Sequence, residues 1–479
     1  MASASASEMA VAVNVVVMAA GKGTRMKSRL PKVLHRLGGR ALLQHVLDTA
    51  AALQARRVVV ITGHGAEQVE AGVTARASAA ALQFVRQEPQ LGTGHAVQQA
   101  APLLPDEGVV VVLSGDVPLI QADTLRALIA ASAGDKLALL TIAFDDPTGY
   151  GRIVRDAGGA VQAIVEQKDA SEAQREIKEI YSGIMAAPAK QLKAWLAKLD
   201  NQNAQGEYYL TDVVKFAVAQ GVAVTAHRIT DAAQVAGVNS PLQLAELERA
   251  YQLRIARGLL EQGVRLADPA RLDVRGELRC AQDVEIDVGC VFTGQVELGE
   301  GVRIGPHCVI GNARIAAGAV IHPYTHIEGG TSESDWVEVG AGALIGPYAR
   351  LRPGAKLGED VHIGNFVEVK NSTLASGAKA NHLAYLGDSQ VGARVNYGAG
   401  SITANYDGAN KHRTVIEDDV HIGSNCVLIA PVTIGAGGTV GGGSTITKNT
   451  APGALTVARA RQASVPGWTR PSKSSVKKP

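Results

Sequence analysis

Residues 337–370 read VEVGAGALIGPYARLRPGAKLGEDVHIGNFVEVK, and an aliphatic residue returns there every six positions: Val339, Ile345, Leu351, Leu357, Ile363 and Val369. The same period runs through Ile286, Phe292, Leu298, Ile304 and Ile310. It resumes after a one-residue slip at Ile315, Ile321 and Ile327, and again at Ile416, Ile422, Leu428, Ile434, Val440 and Ile446. A smaller residue stands two positions before most of these anchors, as at Cys290, Val302, Ala343, Ala349, Ala355, Val361 and Val420. Neither a helix, with its period of about 3.6, nor a plain strand, with its period of two, produces this spacing. It predicts a parallel β-helix, in which each hexad makes one short strand and one corner and each coil buries its neighbour's face. Gly after the anchor suits the corner, where the backbone turns.

A chain of 479 residues implies about two to three domains. Hydrophobic content of 46% with 19% charged residues is that of a folded globular protein. A net charge of +2 gives no general field to attract nucleic acid or an anionic membrane. The one concentrated basic stretch is the tail from Arg459 to Lys478, which reads as a solvated end. Cys280, Cys290, Cys308 and Cys426 all fall on inward phases of the hexad and read as small core residues, not a disulfide framework or metal site. The stretch Met1–Met9 has no basic residue and makes a poor signal peptide, and Val11–Ala20 is too short to span a membrane. These features together predict a cytoplasmic protein.

The first half has a different grammar. After an Ala/Ser-rich tail over residues 1–10, expected to be disordered, Val11–Met18 is a continuous apolar run suited to a buried parallel strand. It feeds Ala19-Ala20-Gly21-Lys22-Gly23-Thr24-Arg25-Met26, a Gly-rich loop with cations that suits a phosphate, since backbone N–H groups can approach and the cations meet the charge. The loop is neither a Walker motif nor a dinucleotide fingerprint. A helix over Ala41–Leu53, a strand over Arg57–Thr62 and another over Gly108–Leu113 follow, the last ending in Ser114-Gly115-Asp116. An Asp at the C-terminal end of a parallel strand stands where open α/β sheets bind ligands, and it suits Mg²⁺ beside a nucleoside triphosphate; a helix-capping Asp is the plainer alternative. The alternation predicts a Rossmann-like sheet over residues 11–239, a linker helix over 240–262, the β-helix over 263–459 and a basic tail over 460–479.

Between Val369 and Ile416 the hexad phase breaks and polar residues crowd in, among them Lys370, Asn371, His382, Tyr385, Asn396, Asn405, Tyr406, Lys411 and His412. A place where a consistent pattern fails is a candidate functional site. His362 and His421 lie in regular coils, whereas His382 lies inside the break. An imidazole ordinarily titrates near about 6.5, so in its neutral form it is a ready base.

The loop string with Leu30-Pro31-Lys32 resembles the signature of sugar-1-phosphate nucleotidyltransferases. With the hexad repeat and Asn405-Tyr406-Asp407-Gly408 it resembles the bacterial bifunctional uridyltransferase/acetyltransferase family that makes UDP-N-acetylglucosamine. The resemblance runs from about Val15 to about Trp468 and implies a left-handed β-helix that assembles as a homotrimer. It implies a UTP and UDP-sugar site at Ala19, Ala20, Gly21, Arg25, Lys32, Gln87, Gly92, Thr93, Ser114 and Gly115. Asp116 and Asn239 match the pair that holds Mg²⁺, and Gly151, Glu166, Tyr181 and Asn239 match sugar-site positions. Arg352, Lys370, Tyr385 and Asn396 match the glucosamine-phosphate site, with His382 as general base. Ala399, Asn405, Tyr406, Ser424, Gly442 and Arg459 match positions that touch acetyl-CoA. Three positions depart from the family pattern: Ser114 stands for a frequent Tyr, Tyr181 for a usual Asn, and Gly442 for Ala in some relatives.

On this reading Lys32 and Arg25 neutralise charge during uridyl transfer with Mg²⁺ on Asp116, and His382 takes the amine proton during acetyl transfer. Glu368, alternating with Lys370 on one strand, is expected to orient His382. Two other readings stay open from sequence: a nucleotidyltransferase whose β-helix only assembles the oligomer, and a non-catalytic scaffold or nucleotide sensor. The polar stretch 370–415 separates the first reading from the second, and intact Lys32, Asp116 and His382 separate it from the third.

Overall fold

The computed structural model describes residues 11–73 and 81–472. The Ala/Ser-rich tail and the last residues of the basic tail lie outside them. The chain divides into two units, the second beginning at Ala256, inside the helix Pro241–Glu261.

In the first unit, nine strands form one sheet. They are β1 (Val13–Ala19), β2 (Arg57–Thr62), β3 (Ala81–Arg86), β4 (Val109–Ser114), β5 (Leu137–Ala143), β6 (Arg152–Arg155), β7 (Val161–Val165), β8 (Glu179–Pro188) and β9 (Val224–Arg228). The main order is β9-β5-β8-β4-β1-β2-β3, with β6 and β7 appended to β8. Strand β1 runs parallel to β2 and β4, with Val15 beside Val58 and Val111, and β8 is antiparallel to both its neighbours β4 and β5. Alternate residues of β1 enter two separate cores: Val15, Val17 and Ala19 pack on one face, Val16 and Ala20 on the other. A strand buried on both faces needs a nearly continuous apolar run, and VNVVVMA supplies one interrupted only by Asn14, which is buried with the rest.

The second unit is a left-handed parallel β-helix. Ile345 lies beside Ile363 and Leu351 beside Val369, so three hexads make one coil, and every anchor of the regular runs is buried. The break expected between Val369 and Ile416 is not a break in the coil. Strands continue through it, with Leu374, Ala380, Leu386, Val391, Tyr397 and Thr403 taking the inward places. The pattern was hidden for two reasons: two spacings shorten to five residues, and Ala, Tyr and Thr replace the aliphatic anchors. Buried hydroxyls fill the interior there, with Ser389 N–H donating to Ser372 Oγ (2.9 Å) and Gly387 N–H to Thr403 Oγ1 (2.8 Å). The true irregularity is shorter. It is the hairpin between strands Ile402–Ala404 and Thr414–Ile416.

One corner of the solenoid repeats with positive φ at His307, Tyr324, Tyr348, Phe366 and Leu383. The first four rings stack at 5.3, 5.1 and 5.5 Å, and Tyr324, Tyr348, Phe366 and Leu383 are exposed. Of the four cysteines, Cys290, Cys308 and Cys426 are buried core residues, but Cys280 is only partly buried. Burial pushes the thiols of Cys280 and Cys308 up to about 12 and that of Cys290 to about 11, which keeps them as unreactive thiols.

Candidate active sites

The C-terminal ends of β1 to β4 open on a cleft of about 910 Å³. Ala19, Ala20, Gly21, Lys22, Lys32, Gln87, Gly92, Thr93, Ser114 and Asp116 line it, as do His64, Arg86, Gln90 and Glu207, which the sequence had not singled out as site residues. Gly115, between two lining residues, donates its N–H to Met18 O (2.9 Å) and so ties β4 to β1. Arg25 lies on a short 3-10 turn and is exposed, outside the lining of the cleft.

The loop is shaped by close approaches. Gly23 sits in the left-handed region at φ 61°, and a Cβ there would meet Lys32 Cβ at 2.7 Å, so only Gly lets the lysine stem pack beneath the loop. A Cβ on Gly92, at φ 113°, would meet the carbonyl of Tyr208 at 2.6 Å. The contact joins two loops far apart in sequence: Tyr208 N–H donates to Leu91 O (2.8 Å), Gly94 N–H to Tyr208 O (2.7 Å), and Leu210 N–H to Thr93 Oγ1 (3.1 Å). Gln87 donates from Nε2 to Gly92 O (2.9 Å) and holds the same loop from below.

At the end of β4 the Lys32 ammonium forms an ion pair with Asp116 Oδ2 and donates to Asn239 Oδ1 (3.1 Å). Val238 N–H donates to Asp116 O (3.0 Å), which brings position 239 beside the carboxylate across more than a hundred residues of chain. Two hard oxygens thus converge on one cation.

A third group lies on β6 to β8. Tyr181 N–H donates to Gly151 O (2.9 Å), and a Cβ on Gly151 would come within 3.6 Å of Glu166 Oε1. Thr211 Oγ1 donates to that same Oε1 (3.0 Å). Burial, more than this bond, sets the Glu166 carboxyl, holding it above the usual range. The Tyr181 phenol is 7% exposed and its hydroxyl has no hydrogen-bond partner among the described residues; burial raises it well above the usual phenol range. Its ring belongs to the apolar core with Ile153, Ile164 and Met185.

In the solenoid, Asn365 and His382 are register partners on adjacent coils, and His382 Nδ1 lies 3.0 Å from Asn365 Oδ1. Glu368, expected to orient His382, is engaged elsewhere: its carboxylate accepts from Arg352 Nη1 (2.7 Å) and lies 3.6 Å from Arg350. Arg352 stands one coil from Lys370, next to the pairing of Leu351 with Val369. The Lys411 ammonium, partial burial and Arg352 together hold Lys370 below the usual lysine range. Lys370 thus lies among Lys411, Arg352 and the carboxylate of Asp388, while Arg352 pairs with Glu368; the gathered positive charge suits an anion, and Lys411 is the member that strand periodicity could not reveal.

Lys411 reaches this cluster because the hairpin folds back. Tyr406 bridges Lys411, and His412 N–H donates to Asn405 O (2.8 Å). The Asp407 carboxylate accepts from Asn410 N–H (2.7 Å), His412 Nε2 (2.6 Å) and Ala409 N–H (2.8 Å), and these bonds hold it well below the usual range. Asp388, buried, takes the side-chain amides of Asn371 and Asn405 and ties the hairpin's base to the coil. Tyr385 is partly buried beside Glu368 in register, and Asn396 is exposed one coil on from Lys379. Farther along, Asn425 N–H donates to Ala399 O (2.8 Å), Ser424 is exposed, and Arg459 donates to Gly442 O. A Cβ on Gly442 would meet Ser424 O at 3.3 Å, a tight fit.

The family model of the MobA-like NTP transferase domain matches residues 15–183, and that of the bacterial transferase hexapeptide (six repeats) matches 337–371 and 413–448. A protein named Bifunctional protein GlmU from Albidiferax ferrireducens is 78% identical over 464 residues, covering 96% of this chain and 100% of its own. One of the same name from Paracidovorax citrulli is 71% identical, covering 96% and 99%. Another from an Azoarcus species is 58% identical, also covering 96% and 99%.

Proposed function

The chain belongs to the bifunctional GlmU family, and from that premise we propose how its two halves share the work. The enzyme transfers acetyl from acetyl-CoA to glucosamine-1-phosphate, then uridyl from UTP to N-acetylglucosamine-1-phosphate. What supports placing uridyl transfer in the first cleft is the convergence of Lys32, Asp116 and Asn239 at the switch between β1 and β4.

There, a phosphate oxygen of N-acetylglucosamine-1-phosphate attacks the α-phosphorus of UTP as the bond to the β-phosphate breaks and pyrophosphate leaves. This displacement needs alignment and charge neutralisation more than covalent help. The backbone of Ala19-Ala20-Gly21 receives the nucleotide, with Gln87, Gly92, Thr93, Ser114 and Gly115 fixing its walls. Lys32 and Lys22, with Arg25 moving in from the exposed turn, meet the phosphates. Glu166 accepts from a sugar hydroxyl, and Gly151 and Tyr181 contribute the backbone edge beside it. A divalent metal fits the oxygens of Asp116 and Asn239, and this small, hard donor set with room for water and phosphate suits Mg²⁺. When bound, it offsets the charge that builds on the reacting phosphates. Lys32, relieved of Asp116, is then free for the phosphate.

In the solenoid, Arg352, Lys370 and Lys411 grip the phosphate of glucosamine-1-phosphate, with Tyr385 and Asn396 beside the sugar. His382 Nε2 takes a proton from the amine as its nitrogen attacks the thioester carbonyl, and returns it to the departing coenzyme A sulfur. The Ala399 N–H receives the oxyanion, while Asn405, Tyr406, Ser424, Gly442 and Arg459 hold acetyl-CoA. A purely structural solenoid has no use for this gathered positive charge. The chain acts as a homotrimer in the cytoplasm, where UTP and acetyl-CoA are supplied; the exposed corner of Tyr324, Tyr348, Phe366 and Leu383 offers an apolar edge for such packing. Among the described residues no helix is long and apolar enough to cross a membrane.

The test uses purified full-length protein with two readouts: coenzyme A from acetyl-CoA plus glucosamine-1-phosphate, and pyrophosphate from UTP plus N-acetylglucosamine-1-phosphate with Mg²⁺. Both signals are expected, and Asp116→Ala removes only the second. Pyrophosphate alone would reduce the solenoid to an assembly device.

A further inference from the structure

Asn365 and His382 stand on neighbouring coils in direct register, each immediately before a corner residue with positive φ, Phe366 at 58° and Leu383 at 48°. The two corners are stacked copies of one turn, so the side chains leading into them are held in the same relation. Gly364 permits the approach: a Cβ there would lie 1.9 Å from Asn381 O, inside the neighbouring backbone. The consequence is the 3.0 Å contact between His382 Nδ1 and Asn365 Oδ1. An amide oxygen only accepts, so Nδ1 carries the ring proton and Nε2 keeps its lone pair. His382 is itself exposed, and Nε2 has no partner among the described residues.

Resting on the acetyl-transfer reading above, we propose that Asn365 is the positioning residue that fixes the tautomer and ring plane of the base His382. The choice of an amide has a chemical meaning. A carboxylate at the same place would also accept from Nδ1–H, but its charge would stabilise the imidazolium and keep the base protonated to higher pH. Asn orients the ring without adding charge, which leaves a neutral imidazole ready to take a proton. Glu368, the carboxylate that strand alternation suggested, pairs with Arg352 and Arg350 instead, so it adds little charge of its own.

The experiment compares Asn365→Ala and Asn365→Asp with wild type by coenzyme A release across pH, with pyrophosphate release in the same samples as the check on folding. For Asn365→Ala, kcat for acetyl transfer falls about 10- to 100-fold, part of the ~10²–10⁴ that a positioned base supplies. KM for both substrates stays near wild type. Asn365→Asp recovers much of kcat and moves the acid limb of the profile to higher pH. Independently of any variant, ¹⁵N shifts of His382 in the wild type show the proton on Nδ1. Unchanged kcat and pH profile in Asn365→Ala overturn the proposal, as does a rise confined to KM, or a wild-type ring protonated on Nε2. If wild-type protein releases no coenzyme A at all, it is the acetyl-transfer reading that fails, and the ring tautomer still reports on Asn365.

Discussion

Replacing Tyr181 by Phe removes one oxygen atom from a place where the fold gains nothing from it. The phenol is 7% exposed, its hydroxyl is closed off from solvent, and no described residue hydrogen-bonds it. In the unfolded chain that hydroxyl is hydrated, so folding strips its water and returns no bond, at a cost of about 1–3 kcal/mol. The ring remains packed between Ile153, Ile164 and Met185 in the variant, so its apolar contacts are kept. Against a small loss of dispersion from the missing atom, the net gain is about 1 kcal/mol. For a unit of this size that raises the unfolding midpoint by about 2–4 °C, read by calorimetry on the N-terminal transition. On the proposed sugar site, which uses Tyr181 through its backbone and not its ring, KM for N-acetylglucosamine-1-phosphate stays unchanged. A lower midpoint would mean the hydroxyl has a partner, and a large rise in KM would mean the phenol turns to the sugar. Either result refutes the reasoning.

The Lys32 ammonium occupies the meeting point of Asp116 and Asn239, so on the proposed metal site a divalent cation competes with the enzyme's own lysine. Lys32→Met therefore binds Mn²⁺ about tenfold more tightly than wild type without nucleotide, the effect of losing a competitor worth about 1.4 kcal/mol, as measured by the free-Mn²⁺ paramagnetic signal; equal affinities would contradict it. Glu166 has its carboxyl raised by burial, so its ionised form is disfavoured in the fold. Its contribution to stability is fully present below the ordinary carboxylate range and is lost as pH rises through the raised value. Glu166→Gln is accordingly more stable than wild type to urea at neutral pH, and the difference closes on acidification; a difference independent of pH would argue against a buried charge.

The sheet and the solenoid were legible in sequence because each rests on a repeated apolar period. The run VNVVVMA can only be a strand buried on two faces, and the stack of Ile345, Ile363 and their like can only be a coil. The solenoid between 369 and 416 was not legible, because hydroxyl and aromatic side chains fill inward places that hydrophobicity alone cannot recognise, as Thr403 and Tyr397 do. Positions carried by one contiguous motif do come together in space: Ala19, Ala20, Gly21, Ser114 and Asp116 line one cleft. Those that depend on coil-to-coil register were not legible. Asn365 meets His382 only because their coils are in step, and the strand alternation that suggested Glu368 overlooked the arginines already facing it. Lys411 enters its cluster through a hairpin whose fold-back depends on Asp407 and Asp388, a set of polar bonds with no period to read. Arg25 shows the converse, a motif residue exposed outside the lining of the cleft.

The central claim is that two chemistries sit in two independent units of one chain, and His382→Ala followed by both readouts tests it most directly. The account predicts that coenzyme A release falls by about 10²–10⁴-fold, the contribution of a positioned general base, while pyrophosphate release persists at the wild-type rate. Wild-type coenzyme A release from that variant, or parallel loss of both products from a folded sample, would contradict it.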